Sequence, residues 1–156
     1  MKKLTSFLIT SLLVFGTAAC QNAAKTSESA PDNVNQPVTE TPAPQATEAA
    51  KKDAQSEVRR AQLDSNIRAN EQRNNATNDG NATNRSESQL QSEVSSKLEA
   101  NIPRGSLTVA AAEDGTVTVS GTVTNQDELK KIGPLAKQIK GVKNVVVKAI
   151  VAKPKS

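Results

Sequence analysis

Leu107-Thr108-Val109-Ala110-Ala111-Ala112-Glu113-Asp114-Gly115-Thr116-Val117-Thr118-Val119-Ser120-Gly121-Thr122-Val123 is the stretch from which the fold is read. Leu107, Val109 and Ala111 alternate with Thr108 and Ala110, and Val117, Val119 and Val123 fall on one face of the following run. A period of two over β-branched residues predicts two strands, each with one buried face. Asp114-Gly115 between them predicts a tight hairpin.

Working outward, helices flank the hairpin. Upstream, Ser88 and Gln91 have the spacing of a capping box, with Ser86 and Gln89 as the alternative. Leu90, Val94 and Leu98 then share one helical face, and Pro103 ends the helix. Downstream, Asn125 and Glu128 are placed as N-cap and third helical residue, and Leu129, Ile132, Ala136 and Ile139 mark a buried face. Gly133-Pro134 interrupts this pattern and predicts a kink or a late start. Gly141 reads as the C′ residue, and Val145 to Ala152 as a third strand with Val145, Val147, Ala149 and Val151 on one face. The second helix is then a crossover that sets the third strand parallel to the second. The expectation is a small α+β domain over residues 87–152, in the order α-β-β-α-β. Its three-stranded mixed sheet carries two helices on one face, and residues 153–156 are a tail. The core is wholly aliphatic, so modest stability is expected.

Val117-x-Val119-x-Gly121-x-Val123, followed by Gly141-Val142-x-x-Val145, resembles the BON family of bacterial envelope domains. The resemblance implies the same element order, no catalysis, and contact with phospholipid or with other envelope components. The family often carries two copies, whereas this chain has one, and it often has a polar residue where Val147 stands. Gly115, Gly121 and Gly141 are read from the residues themselves as a turn, a bulge or close helix–strand approach, and a helix cap.

Composition narrows the function classes. The chain of 156 residues has no His, Trp or Tyr, and its only aromatics are Phe7 and Phe15. Histidine-based triads, proton shuttles and metal sites are excluded, as is base stacking on an aromatic platform. The single cysteine, Cys20, excludes an intramolecular disulfide and a cysteine-cluster metal site. No phosphate-binding glycine motif and no nucleophile–base pair is present, so no cofactor, no metal, no nucleic acid and no enzymatic activity are expected.

Met1-Lys2-Lys3, an apolar run and Phe15-Gly16-Thr17-Ala18-Ala19-Cys20 read as a secretory signal peptide over residues 1–19. The uncharged stretch, 4–19, is shorter than the roughly 20 residues a spanning helix needs. Thr17-Ala18-Ala19-Cys20 resembles the lipobox of bacterial lipoprotein precursors, with Thr17 where that family more often has Leu. The resemblance implies that Cys20 is acylated and becomes the first mature residue. Gln21, in place of Asp, leans towards the outer membrane, with the protein facing the periplasm. The alternative is an ordinary exported protein with a chance Cys near its cleavage site.

Residues 20–86 read as a lipid-anchored, low-complexity tether. Pro31, Pro37, Pro42 and Pro44 sit among polar residues with too few apolar side chains to offset ordering. Residues 50–73 have helical spacing: Leu63 and Ile67 are four apart, and Asp64 and Arg68 are placed as an ion pair. No heptad persists, which favours a solitary solvated helix over a coiled coil. Unfolded, the stretch reaches about 220 Å fully extended, or about 45 Å as a coil.

Two surfaces are candidates for function. Lys130, Lys131, Lys137, Lys140 and Lys143 are candidate contacts for anionic phospholipid headgroups, each contributing about 1 kcal/mol near such a surface. A solvated helix face is the plainer reading of the same charges. The second candidate is the sheet face away from the helices, with Thr108, Ala110, Thr118, Ser120, Thr122, Val146, Lys148 and Ile150, on which an envelope protein would dock. The oligomeric state is not legible.

Overall fold

The computed structural model describes residues 23–38 and 41–152. The expected signal peptide, Cys20 and the tail at 153–156 lie outside the described residues.

The hairpin forms as read. Strands β2, Ser106–Ala111, and β3, Thr116–Val123, pair antiparallel with Val109 opposite Val119 and Ala111 opposite Val117. In the turn, the Asp114 carboxylate accepts from the Thr116 amide at 2.8 Å and from its hydroxyl at 3.0 Å. These bonds favour the ionised form, so the carboxyl is held below the usual aspartate range.

Helix α3, Glu87–Asn101, starts at Ser86, whose hydroxyl accepts from the Gln89 amide; of the two capping spacings, this is the one used. Helix α4, Gln126–Lys137, is capped by Asn125, whose side-chain oxygen accepts from the Glu128 amide at 2.8 Å. The Glu128 carboxylate reaches back to the amide and hydroxyl of Thr124. With this reciprocal cap the helix starts at Gln126, so the expected late start is corrected, and Pro134 lies inside it.

The expected third strand is divided in two. β4, Asn144–Val147, and β5, Ile150–Val151, both pair parallel with β3 in one unbroken register, Thr116 opposite Asn144 and Thr122 opposite Ile150. The gap between them lies across from Ser120 and Gly121. Gly121 has φ +116°, outside regular strand geometry, and a Cβ there would stand 2.0 Å from the Ser106 carbonyl oxygen.

Leu107, Val109, Val117, Val119 and Val123 point to one face of the sheet. They pack with Leu90, Val94, Leu98 and Ile102 around α3 and with Ile132, Ala136 and Ile139 around α4. Both helices therefore cover the same face, and the α+β class and α-β-β-α-β order stand.

Residues 24–78 differ from the tether that was expected. Ala24–Lys25 forms a short strand, β1, antiparallel to β2, so the sheet runs β1-β2-β3-β4 with β5 also on β3. Residues 26–38 cross the outer face of the sheet. Helix α1, Pro44–Ala54, and helix α2, Glu57–Asn78, replace the single helix expected at 50–73. Ser56 separates them, its hydroxyl accepting from the Arg59 amide at 3.2 Å. The Asp64–Arg68 pair forms as its spacing predicts.

The physical reason for the difference is that α2 docks largely through polar groups. It buries Leu63, but also Asn70 and Asn74. Arg59 grips the buried Glu99 carboxylate of α3 with two nitrogens, one at 2.7 Å, and the Ser92 hydroxyl donates to Asn66 at 2.8 Å. The outer flank of α3, with Glu93, Ser95, Ser96 and Glu99, is thereby buried as well as its apolar face. Replacing Leu63 with Asp is expected to free α2, at a local loss of about 2 kcal/mol. In amide exchange, α2 should lose protection while β2 and β3 keep theirs; unchanged protection in α2 would contradict this packing.

Candidate functional site

The motif glycines join structural elements rather than cradle a ligand. A Cβ on Gly115 would stand 2.5 Å from the Gly141 carbonyl oxygen, so the hairpin turn and the turn after α4 touch backbone to backbone. The Lys143 amide donates to the Gly115 carbonyl at 2.9 Å, which continues this contact into β4. Two expectations are corrected. Gly141 is not the C′ residue, because the C-cap is Gln138 and Gly141 lies in a further turn closed by the Val142 amide on Ile139. Gly121 marks an approach of strand to strand, not of helix to strand.

Beside Gly141 lies a buried ionic cluster that no local pattern announces. Arg85 is almost wholly enclosed; its guanidinium donates to Glu93, to Glu71 at 2.7 Å and to the Lys140 carbonyl at 2.7 Å. It ties α2, α3 and the turn after α4 together. Burial pushes the Glu93 carboxyl up to about 7; Arg85 opposes the shift and the nearby Glu71 carboxylate adds to it.

Lys130, Lys131, Lys137, Lys140 and Lys143 are all exposed, and none has an ion-pair partner among the described residues. They lie on two consecutive elements. Lys130, Lys131 and Lys137 line the solvent side of α4, opposite buried Ile132 and Ala136. Lys140 and Lys143 belong to the turn that leads into β4. From that turn onward, Val146, Val147 and Ile150 are 43%, 40% and 47% exposed along the free edge of the sheet, with exposed Lys148 between Val147 and Ile150 in sequence. Sequence reading found Val146, Lys148 and Ile150 by strand alternation. It missed Val147, whose register faces the core side but whose edge position leaves it half open. No acidic residue follows Glu128 in the chain, whereas eight lysines do.

The sheet face expected to be open is half closed. Thr108, Ser120 and Thr122 are buried beneath residues 26–38, while Val146, Lys148 and Ile150 stay exposed. The covering segment brings Ala30 and Val34 onto the face; the Thr108 hydroxyl donates to the Pro31 carbonyl and the Lys148 amine to the Asn35 side-chain oxygen at 2.9 Å.

Among the described residues there is no cluster of three metal-ligating side chains, and no helix is long and apolar enough to cross a membrane. A family model described as "BON domain" matches residues 86–154, somewhat under half of the chain. Residues 86–154 are a BON domain. Its limits agree within two residues with the domain expected at 87–152. No curated protein and no solved structure matches the chain. In the BON domain Gly115 of the hairpin and Gly141 after α4 meet at one end, Gly121 lies towards the other, and exposed Val146, Val147, Lys148 and Ile150 run along β4 and β5.

Proposed function

We propose that the chain is a non-catalytic envelope lipoprotein, held at the membrane by acylated Cys20 and facing the periplasm, whose BON domain contacts anionic phospholipid. The BON family is associated with phospholipid and membranes. The observation that carries the reading for this chain is the free sheet edge: exposed Val146, Val147 and Ile150 run along it, with exposed Lys143 at its start and Lys148 between Val147 and Ile150 in sequence, in a stretch without any acid after Glu128. An apolar edge with lysines along it fits a bilayer interface, where aliphatic groups enter the headgroup region and lysines meet phosphate. Lys130, Lys131 and Lys137 add positive potential from α4. The outer membrane is favoured over the inner by Gln21, and the role is in envelope integrity or stress.

The test is flotation of residues 21–156, which lack the anchor, with anionic and neutral vesicles at low and physiological salt. Binding to anionic vesicles alone is expected, at least about tenfold weaker at the higher salt because exposed charges are screened within about 8 Å. Lys143→Glu with Lys148→Glu should weaken it by a further tenfold or more, since each lysine near the surface contributes about 1 kcal/mol. Lys130→Glu with Lys137→Glu should weaken it less. No flotation under any condition would sink the lipid reading.

A further inference from the structure

The segment over the outer sheet face is held differently from the rest of the fold. Its ladder with β2 is only two residues long, Ala24 opposite Val109 and Lys25 opposite Thr108. Beyond it one further backbone bond, from the Thr26 amide to the Leu107 carbonyl at 2.8 Å, continues the contact, the Lys148 amine holds Asn35, and the rest of the grip is made of small neutral groups. The Thr26 hydroxyl donates to the Gly105 carbonyl at 3.1 Å and accepts from the Leu107 amide at 2.9 Å. Ser27 and Ser29 meet the Ser106 hydroxyl at 3.1 and 2.7 Å. Ala30 and Val34 are its only buried aliphatic side chains. The face beneath is a ladder of hydroxyls, Ser106 opposite Thr122 and Thr108 opposite Ser120, all buried.

This cover fits imperfectly. Ser120 Oγ is buried without a hydrogen-bond partner in the protein. Buried hydroxyls in a permanent interior are almost always paired, and one left unpaired costs free energy that water would return if the cover lifted. We propose that residues 24–38 are a releasable strap, docked on the hydroxyl face of the sheet in cis and able to lift from it while the BON domain stays folded.

The consequence for reach rests on the reading of Cys20 as the anchor. With the strap docked, three residues separate Cys20 from β1, and they span at most about 14 Å. Lifting the strap frees the chain up to α1 at Pro44, about 65 Å more when extended. It also releases Lys148 from Asn35, adding a free cation to the edge proposed to meet lipid. Docked, the strap holds the domain close with its hydroxyl face closed; lifted, the domain ranges outward with that face open.

Amide exchange on residues 21–156 tests the strap. The amides of Thr26 and Leu107, which bridge strap and sheet, are expected to exchange at least about 100-fold faster than those of β3, because they open locally. Ser29→Cys with Ser106→Cys, oxidised, should slow them at least about tenfold, since the two hydroxyl oxygens already lie 2.7 Å apart. Val34→Asp should speed them and leave β3 unchanged. Protection of Thr26 and Leu107 equal to that of β3, failure of the disulfide to form, or unfolding of the domain by Val34→Asp would each overturn the proposal. Reach is read separately on the acylated full chain, by energy transfer from a donor at Glu113→Cys to acceptor lipid. Transfer should be higher in the oxidised Ser29→Cys, Ser106→Cys chain than in Val34→Asp. Equal transfer in the two, with the exchange results as expected, would overturn the anchor reading and leave the strap standing.

Discussion

Gly121→Ala is expected to prevent stable folding of the BON domain. The added Cβ would stand 2.0 Å from the Ser106 carbonyl oxygen and 3.1 Å from the Leu107 Cα, both backbone atoms of the paired strand. Neither can swing aside as a side-chain tip would. The residue also sits at φ +116°, which an L side chain resists. Relief requires parting β2 from β3, the central pair of the sheet. The expected loss is roughly 4 kcal/mol or more, in the range that marks a specific structural failure. A domain of this size has only about 3–10 kcal/mol to lose. Denaturant unfolding of residues 21–156, followed by circular dichroism, checks it. Gly133→Ala is the control. A Cβ at Gly133 meets nothing within 4 Å beyond its chain neighbours, but the residue is helical and precedes Pro134, so the helix-propensity gain is offset by the pre-proline clash and a change within about 1 kcal/mol is expected. A Gly121→Ala variant within 1 kcal/mol of the natural chain would refute the close-approach account.

The second large effect lies at Arg85. Arg85→Ala removes the guanidinium that pairs with the buried Glu93 carboxylate and half-buried Glu71, and also the donor to the Lys140 carbonyl. Breaking a buried pair by deleting one partner costs about 3–5 kcal/mol, because the remaining charge is stranded. The cost should be larger at pH 8 than at pH 5. Glu93 binds its proton more tightly folded, with its pKa near 7, than unfolded, near 4.5. A carboxyl raised in this way gives most stability below the lower value, and that contribution falls as pH rises through the higher one. The natural chain should thus lose up to about 3 kcal/mol between pH 4.5 and 7. Glu93→Gln should flatten that slope. Asp114 does not confound the window, because its pKa is lowered and its effect falls at more acid pH. Stability rising with pH across this window would show that Arg85, not burial, governs Glu93.

The sites were legible to different degrees for reasons that can be named. Val146, Lys148 and Ile150 follow from strand alternation once the third strand is recognised, and the structure leaves them exposed. Thr108, Ser120 and Thr122 follow from the same alternation, yet they are buried. Alternation tells which side of a sheet a residue is on, but not what lies over that side. Of the two outcomes expected from Pro134, a kink or a late start, the late start does not occur, because the reciprocal cap of Asn125 and Glu128 fixes the start of α4.

By itself the sequence determined the BON domain: its hairpin, its two helices, their order and the face each buries. Those features follow from side-chain periodicity and capping between near neighbours, which are local and additive. The tertiary structure alone decided the path of residues 24–78 and the burial of Arg85 and Glu93. These depend on polar pairs such as Thr26 with Gly105, Arg59 with Glu99 and Ser92 with Asn66, which lie 79, 40 and 26 residues apart. A polar side chain looks the same in sequence whether it faces water or a buried partner, so such contacts leave no pattern until the chain has folded.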